Sequence, residues 1–398
     1  MRVEQQDEKA IPIVAGGALL AVAVVLVALN LRPAVTSVAP LLGDMRDELG
    51  TSATWAGVLT TMPGLCFAAA GLAAPRLANR FGLGRVISMA LVVLTAGLAV
   101  RGVDGPYVVI GATLLACAGI ALVNVLIPVV IKGSFPAKIG LMTGIYTAAL
   151  QGGGALGSAV TPGLEQPLGG WRWALAAWAV IAVIALAAWL PASRRHRESW
   201  VASTTPTGER RSLMRSRLAW IVTLFFGCQA FMAYIVMGWL PQVFIDNGVA
   251  KVQAGLLVGL VSLIGVPVAL IISPLAARSA SQSGWIVALG VLGLGGAIGL
   301  LIAPAAAPLL WSVLIGIGMS AFSLALTVIA LRARNAEDTA QLSGMAQGFG
   351  YLFAGTGPFL FGFLHDLSDD WTIPFVMFLA VYVVQIVAGA AAGRARFV

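Results

Sequence analysis

The chain has 398 residues, of which 59% are hydrophobic and only 10% are charged, and its mean hydropathy is +0.95. Soluble domains carry about a quarter charged residues, so this composition excludes an ordinary soluble protein and indicates a membrane protein. The formal net charge is +8, but the basic residues are spread over many short loops. Because they form no continuous stripe, nucleic-acid binding is not expected.

Apolar segments of about 20 residues recur along the chain, and nearly all charged residues fall between them. A helix of that length crosses the ~30 Å hydrocarbon core of a bilayer. The sequence predicts an all-α membrane protein with twelve spans: Ile13 to Leu42, Ala53 to Ala74, Val86 to Val100, Tyr107 to Ile131, Ile139 to Val160, Trp173 to Leu190, Leu218 to Leu240, Ala254 to Leu275, Trp285 to Ala303, Leu309 to Leu331, Leu342 to Leu364 and Ile373 to Ala392.

An even number of spans puts both termini on one side of the membrane. The loops predicted on that side hold 19 of the 24 Lys and Arg residues, whereas the opposite loops hold only Arg46, Arg101, Arg172 and Lys251. Cytoplasmic loops are enriched in Lys and Arg, so both termini are predicted to be cytoplasmic. The remaining basic residue, Arg32, lies inside the first span.

The three cysteines, Cys66, Cys117 and Cys228, all fall within predicted spans. They therefore indicate neither a disulfide framework nor a metal site, and packing is their expected role. The sequence predicts no metal and no cofactor. The apolar run from Ala10 to Gly43 is too long for a cleavable signal peptide and is predicted to be a retained helix.

The chain divides into two related halves. The polar segment 191–217, rich in Arg, Ser, Thr and Pro, separates a six-helix bundle (1–190) from a second one (218–398) and is predicted to be a cytoplasmic linker. Shifting the halves by about 200 residues aligns short matching runs, such as residues 56–59 with 254–257. Parallel six-span repeats are the plan of the major facilitator superfamily, in which two bundles rock about a site near the membrane midplane.

Several runs resemble one family within that superfamily, the cyanate and 2-nitroimidazole transporters. The most specific is the first-helix run Asn-Leu-Arg-Pro-Ala-Val-Thr-Ser-Val-Ala-Pro-Leu-Leu at 30–42. Further matches are the runs at 128–132, 144–150 and 152–157 and the pairs Gln347-Gly348 and Gly350-Tyr351. The resemblance covers the full length and implies a major facilitator fold and a transporter that works by alternating access.

Arg32 is the leading candidate for substrate binding. A charged Arg in the hydrocarbon costs at least ~2.5 kcal/mol even on lenient insertion scales, so it is expected to face a wet cavity or a partner. Pro33 and Pro40 predict a bent, cavity-lining helix around it. The alternative is an Arg whose head reaches up to the membrane interface. As a ligand-binding group, a planar guanidinium that stays charged suits an anion or a polarised acceptor.

Further candidates are the polar side chains at mid-span depth. Thr36 shares a helix stripe with Arg32, and Asn30 lies on a neighbouring stripe. In the other spans the candidates are Asn124, Tyr146, Gln151, Gln229, Tyr234, Gln347 and Tyr351. Each of them has an alternative role, because buried amides and phenols also stabilise contacts between helices. The glycine run 152–157 is likewise expected to be a close-packing surface.

All sixteen acidic residues fall in loops or termini. A proton-driven pump usually carries a carboxylate inside the membrane, and none is predicted here. Of the two histidines, His365 lies at the outer end of the eleventh span and could respond to pH. Its alternative is a solvated or helix-capping residue.

The sequence therefore predicts a monomeric transporter, not an enzyme, whose partners are the lipid bilayer and a small-molecule or anion substrate. By resemblance that substrate is cyanate-like or nitroimidazole-like. An exporter of neutral organic compounds is the alternative. A membrane-embedded enzyme would need nucleophiles, metal ligands or an acidic pair, and a receptor would carry a signalling domain, neither of which the sequence offers.

Overall fold

A computed structural model describes residues 17–135, 139–195, 213–333 and 336–398, which contain helices and no strand. We number the twelve spans in chain order: span 1 (Gly17–Leu31, Pro33–Thr36, Ala39–Leu41 and Leu42–Leu49), span 2 (Ala53–Phe81), span 3 (Leu83–Val100), span 4 (Pro106–Ser134), span 5 (Ile139–Leu168), span 6 (Trp171–Ala176 and Trp178–Arg195), span 7 (Arg217–Asp246), span 8 (Lys251–Arg278), span 9 (Ser283–Ile302), span 10 (Pro308–Met319 and Ala321–Arg332), span 11 (Ala336–Ser368) and span 12 (Thr372–Ala392).

The predicted spans are confirmed in order and number within the described residues. Ten helices are long and apolar enough to cross a membrane, and spans 5 and 11 are further helices of 30 and 33 residues. Most helices extend a few residues beyond the predicted bounds because their polar ends stay helical outside the apolar window. Residues 13–16 of the predicted first span and most of the predicted linker 191–217 lie outside the described residues.

The spans pack mainly within their own half of the chain. In the first half, span 1 contacts spans 5 and 6, span 2 contacts span 4, and span 3 contacts spans 4 and 6. In the second half, span 7 contacts spans 11 and 12, and span 9 contacts spans 10 and 12. The halves meet along two seams, between spans 2 and 11 and between spans 5 and 8. The boundaries of the two bundles stay a prediction.

The helix bundle has two ends. The terminal end carries the described chain ends Gly17 and Val398. The distal end, on the opposite side, carries Asp44, Lys251 and Asp366. Which of the two faces the cytoplasm stays a prediction.

Span 1 is broken at Arg32, as Pro33 and Pro40 predict. Its regular helix ends at Leu31, a four-residue turn follows, and a 3-10 turn leads into the last helical segment. Proline has no N–H group to donate to the preceding turn and disfavours the helical conformation of the residue before it. The break therefore falls where the sequence removes helical hydrogen bonds, and it places Arg32 at the middle of the span.

The glycine run of span 5 forms a close-packing surface, as predicted. A Cβ added at Gly153 would stand 2.3 Å from the Leu29 carbonyl oxygen, and one added at Gly157 would stand 2.7 Å from Pro33 Cα. Any larger residue would push spans 1 and 5 apart. The glycines thus bring span 5 directly against the break in span 1.

Two basic residues that the sequence places in loops are buried. Arg101 is fully buried at the end of span 3, and Arg332 is 4% exposed at the end of span 10. Arg332 donates to the carbonyl oxygens of Ala392 and Gly393 at the end of span 12. Arg101 lies in the turn after span 3 and Arg332 is the last helical residue of span 10, and both are buried because their side chains turn back to bond backbone carbonyl oxygens.

Candidate functional site

Arg32 lies at the centre of the molecule, where the two halves face each other. The stem of its side chain packs on span 5, where a Cβ at Gly154 would stand 3.1 Å from Arg32 Cδ. Its Nη1 atom lies 4.0 Å from Met237 Sδ on span 7, in the other half. The side chain is half-buried. The guanidinium group therefore projects from the break in span 1 towards the second half.

Three tyrosines from three different spans lie near this guanidinium group. Tyr146 on span 5, Tyr234 on span 7 and Tyr351 on span 11 all lie within its electrostatic range. Tyr146 donates its hydroxyl hydrogen to Asn124 Oδ1 on span 4, so Asn124 orients that phenol. Among the described residues, the hydroxyls of Tyr234 and Tyr351 have no hydrogen-bond partner. The structure thus groups Arg32, Asn124 and all three predicted tyrosines in one site.

Aromatic rings form one wall of this site. Phe67 on span 2 stacks on Tyr351 with ring centroids 5.6 Å apart and an interplanar angle of 29°. Phe226 meets Tyr351 edge-on at 5.2 Å, and Tyr234 lies 6.3 Å from it. Because Phe67 and Tyr351 belong to different halves, their contact joins the halves at the level of Arg32. Sequence reasoning missed Phe67, Phe226 and Met237, since nothing distinguishes them from other apolar residues in a span.

Asn30 and Thr36 bond to backbone instead of facing the site. Asn30 is 2% exposed and donates to the carbonyl oxygens of Leu26 and Ile181, at 2.8 and 3.2 Å. Thr36 is 1% exposed and donates to the Gly154 carbonyl oxygen at 2.9 Å. These bonds fasten span 1 to spans 5 and 6. Both residues support the break in span 1 without lining the space beside Arg32.

Gln229 is fully buried inside the second half. Its amide donates to the Met319 carbonyl oxygen at 3.0 Å, and its own oxygen accepts a hydrogen bond from Gln385 Nε2 at 3.0 Å. Both ends of the amide are therefore used in contacts between spans 7, 10 and 12. The structure does not bring Gln229 to Arg32.

Gln151 and Gln347 are half-buried and lie at the edges of the central region. Gln151 donates to the Ser262 carbonyl oxygen at 3.3 Å and so links spans 5 and 8 across the two halves. Gln347 lies one turn from Tyr351, as predicted, and donates to Ser343 Oγ at 2.7 Å. Gln347 thus shares the Tyr351 face, while Gln151 belongs to the seam between the halves.

No carboxylate pairs with Arg32 among the described residues. At the distal end, Lys251 on span 8 forms ion pairs with Asp44 and Glu165 of the first half, and Arg172 forms ion pairs with Glu48 and Asp104. In hydrocarbon or a dry interior a lone cation is unfavourable. The Arg32 charge is therefore left for water or a ligand to compensate.

The distal end is held closed between the halves. Besides the Lys251 ion pairs, Asp366 on span 11 accepts hydrogen bonds from the N–H groups of Ala53 and Thr54, the first residues of span 2. A carboxylate at a helix N-terminus satisfies N–H groups that have no partner within the helix and interacts favourably with the helix dipole. These contacts join the two halves at the distal end in this conformation.

A family model described as the Major Facilitator Superfamily matches residues 18–358 of the chain. The chain is 39% identical to an uncharacterized transporter, YycB, of Bacillus subtilis, over 94% of its own length and 93% of that protein. It is 37% identical to the 2-nitroimidazole transporter of Escherichia coli, over 94% and 95% of the two chains. It is 31% identical to the cyanate transport protein CynX of Escherichia coli, over 87% and 90%.

Among solved structures, the fold is similar to that of a bacterial homologue of the human lysosomal transporter Spinster in an inward-facing, unoccupied conformation. The TM-score is 0.77, and the match covers 96% of this chain and 98% of that one. The sequences are only 14% identical, so this likeness concerns the fold alone.

Proposed function

The chain belongs to the major facilitator superfamily, within the family of cyanate and 2-nitroimidazole transporters, and on that premise we propose that it carries a small anion or a small, planar, polar solute. It is a multi-pass membrane transporter and not an enzyme. Beyond this family membership, we propose a substrate class, transport by alternating access, and a location in a bacterial inner membrane with cytoplasmic termini.

The observation that carries the proposal is the uncompensated charge of Arg32. Among the described residues it has no carboxylate partner, and it is half-buried at the middle of a membrane span. A guanidinium group offers a planar fork of donors that matches a carboxylate, a nitro group or a similar acceptor. An anionic or strongly polarised ligand would therefore gain most of its binding energy at this residue.

The tyrosines suit the same ligand class. The hydroxyls of Tyr234 and Tyr351 are available as donors beside the guanidinium group, and the Phe67–Tyr351 ring pair offers a flat apolar surface. An aromatic ligand that places its acceptor group on Arg32 can stack its ring on these side chains. Arg32, Tyr146, Tyr234 and Tyr351 are our proposed ligand contacts, with Asn124 orienting Tyr146.

The membrane potential limits the direction of transport. An inside-negative potential opposes entry of an anion by ~2.3 kcal/mol per charge per 100 mV. Uptake of an anion therefore needs either a coupled ion or rapid consumption inside the cell, whereas export needs neither. A neutral planar solute is free of this penalty in both directions.

Alternating access is supported by where the two halves meet. Lys251 and Asp366 join the halves at the distal end, and the ring pair at Phe67 joins them at mid-depth. Transport would require these distal contacts to break while the halves close at the terminal end. With cytoplasmic termini, the closed distal end would be the outer end of the transporter.

A ligand panel tests the substrate class. The thermal unfolding temperature of purified wild-type protein and of the Arg32→Ala variant would be measured in the presence of cyanate, benzoate, 2-nitroimidazole or a neutral lipophilic drug. A ligand at a hundredfold excess over its Kd stabilises by about 2.7 kcal/mol, which is readily detected. We expect anions or 2-nitroimidazole to stabilise the wild type alone. Stabilisation of both proteins by the lipophilic drug, and by none of the others, would instead establish an exporter of neutral compounds.

A further inference from the structure

Arg101 is a second arginine buried within the first half. It is the C-cap residue of span 3, where its backbone N–H bonds the Gly97 carbonyl oxygen, and its exposed fraction is 0%. The side chain turns inward from the helix end instead of reaching the distal surface. A fully buried arginine is rare and expensive, which indicates that its contacts have a specific role.

The guanidinium group of Arg101 bonds the broken segment of span 1. Its Nη1 donates to the Ala34 carbonyl oxygen at 2.6 Å, and its Nε donates to Thr113 Oγ1 on span 4 at 3.1 Å. In a regular helix the Ala34 carbonyl would accept from the Val38 N–H, but that N–H donates to Val35 instead, at 3.3 Å. Arg101 thus supplies the donor that the break removes.

This bond lies two residues beyond Arg32, within the turn Pro33–Thr36. The opposite side of the same turn rests on span 5, where Thr36 donates to the Gly154 carbonyl oxygen and the Arg32 stem packs on Gly154. The break is therefore clamped from two sides, by span 5 and by Arg101. The turn keeps backbone hydrogen bonds to the carbonyl oxygens of Arg32 and Pro33, and the contacts with Arg101 and span 5 tie it to its neighbours.

We propose that Arg101 is a positioning residue that fixes the turn Pro33–Thr36 and thereby aims the Arg32 guanidinium group at the tyrosine cluster. The link to substrate affinity rests on the proposed function, whereas the geometric claim stands independently of it. Charged hydrogen-bond donors are well suited to this task because their bonds to carbonyl oxygens are shorter and stronger than neutral ones.

Chemical labelling tests the geometric claim. In an Arg32→Cys variant, the introduced thiol would be labelled from the terminal end with a small methanethiosulfonate, since the three native cysteines are buried. Adding Arg101→Gln should change the labelling rate about tenfold or more, and adding Thr113→Val should change it in the same direction by less. Arg332→Gln is the matched control, because it removes another buried arginine that bonds backbone carbonyls in the other half.

Transport tests the functional claim on chains with native Arg32. In liposomes with cyanate or 2-nitroimidazole as the probe, Arg101→Gln should raise KM about tenfold and leave Vmax within about twofold, while Arg332→Gln leaves KM unchanged. Labelling rates that do not respond to Arg101→Gln or Thr113→Val would overturn the proposal. A changed labelling rate in a protein that binds neither anions nor 2-nitroimidazole would uphold the positioning role and refute the proposed function instead.

Discussion

Span 1 and span 7 open the two halves and differ in continuity. Span 7 is a single helix of 30 residues from Arg217 to Asp246, although it contains Pro241. Span 1 is divided into four short segments by Pro33 and Pro40. Span 7 keeps its hydrogen bonds through the membrane middle because its proline falls near the distal end, whereas Pro33 falls at mid-depth.

The same difference separates the roles of the halves at the site. The broken span supplies Arg32, whose charge lies at the break in the helix. The continuous span supplies Tyr234 and Met237, which need only a helix face. Two halves with a common architecture thus share the site: the first half supplies the charge together with Tyr146 and Phe67, and the second half supplies Tyr234 and Tyr351.

Substitutions of Arg32 are expected to reduce transport more than any other change. We expect Arg32→Ala and Arg32→Lys both to abolish transport, a loss of more than about a hundredfold, while expression is retained, because an ammonium has the charge without the planar fork. Uptake and efflux in liposomes measure this effect. Arg278→Lys, at the exposed end of span 8, is the control. Wild-type rates in Arg32→Lys would show that the planar fork of donors is not required, and wild-type rates in Arg32→Ala would show that the charge is not the anchor.

A second test weakens the contact that closes the distal end. Asp366→Asn removes a charged acceptor from the start of span 2, which is worth about 1 to 2 kcal/mol at a helix N-terminus, so the closed population should fall roughly 5-fold to 30-fold relative to the open one. Spin labels would be attached to cysteines introduced at Asp47 and Leu367, both exposed. In Asp366→Asn the distance between the two labels should be longer than in the labelled chain with native Asp366. Asp369→Asn is the control, and an unchanged distance in Asp366→Asn would contradict the closure.

A smaller effect is expected when the second half loses a hydroxyl. Tyr351→Phe and Gln347→Ala remove only hydrogen bonds worth about 0.5 to 1.5 kcal/mol net, so apparent affinity should weaken roughly 2-fold to 13-fold while turnover survives. Gln347→Ala should fall at the low end because Gln347 already bonds Ser343. Competition binding measures both. Complete loss of transport in a folded Tyr351→Phe protein would move the primary determinant to the second half.

Collapse of the pH gradient is predicted to have the smallest effect on transport. Among the described residues no carboxylate contacts Arg32, so counterflow exchange should persist, within about twofold, when a protonophore collapses the gradient and the substrate gradient is kept. Exchange of labelled probe in liposomes measures this. Its loss would implicate His365, whose ring lies 4.0 Å from that of Trp371 at the distal end.

The features that depend on local sequence pattern could be predicted from the sequence. The spans follow from apolar length, the break from Pro33, and the choice of Arg32 from a lone charge within an apolar run. Tyr146, Tyr234 and Tyr351 were found as polar groups at the right depth. The amides Asn30 and Gln229 were found by the same criterion, yet they bond within the protein, because depth alone does not reveal which way a side chain points.

The burial of Arg101 and the role of Phe67 could not be predicted from the sequence, because both depend on contacts between distant segments of the chain. Arg101 ends an apolar run and is followed by Gly102, so it has the pattern of a loop residue, and only the approach of Ala34 explains its burial. Phe67 and Phe349 have similar apolar settings in the sequence. The first stacks on Tyr351 across the halves, and the second is 43% exposed on the outside of the bundle.

The ring pair of Phe67 and Tyr351 has a consequence for how such a protein diversifies. The ring that helps to shape the space beside Arg32 sits on span 2, whereas Arg32 sits on span 1, so the ring can change in size while the guanidinium group keeps its place on its own helix. A smaller residue at position 67 would widen the room for cargo and leave the preference for charge in place. Evolution can therefore select cargo by size and by charge through independent substitutions on separate helices.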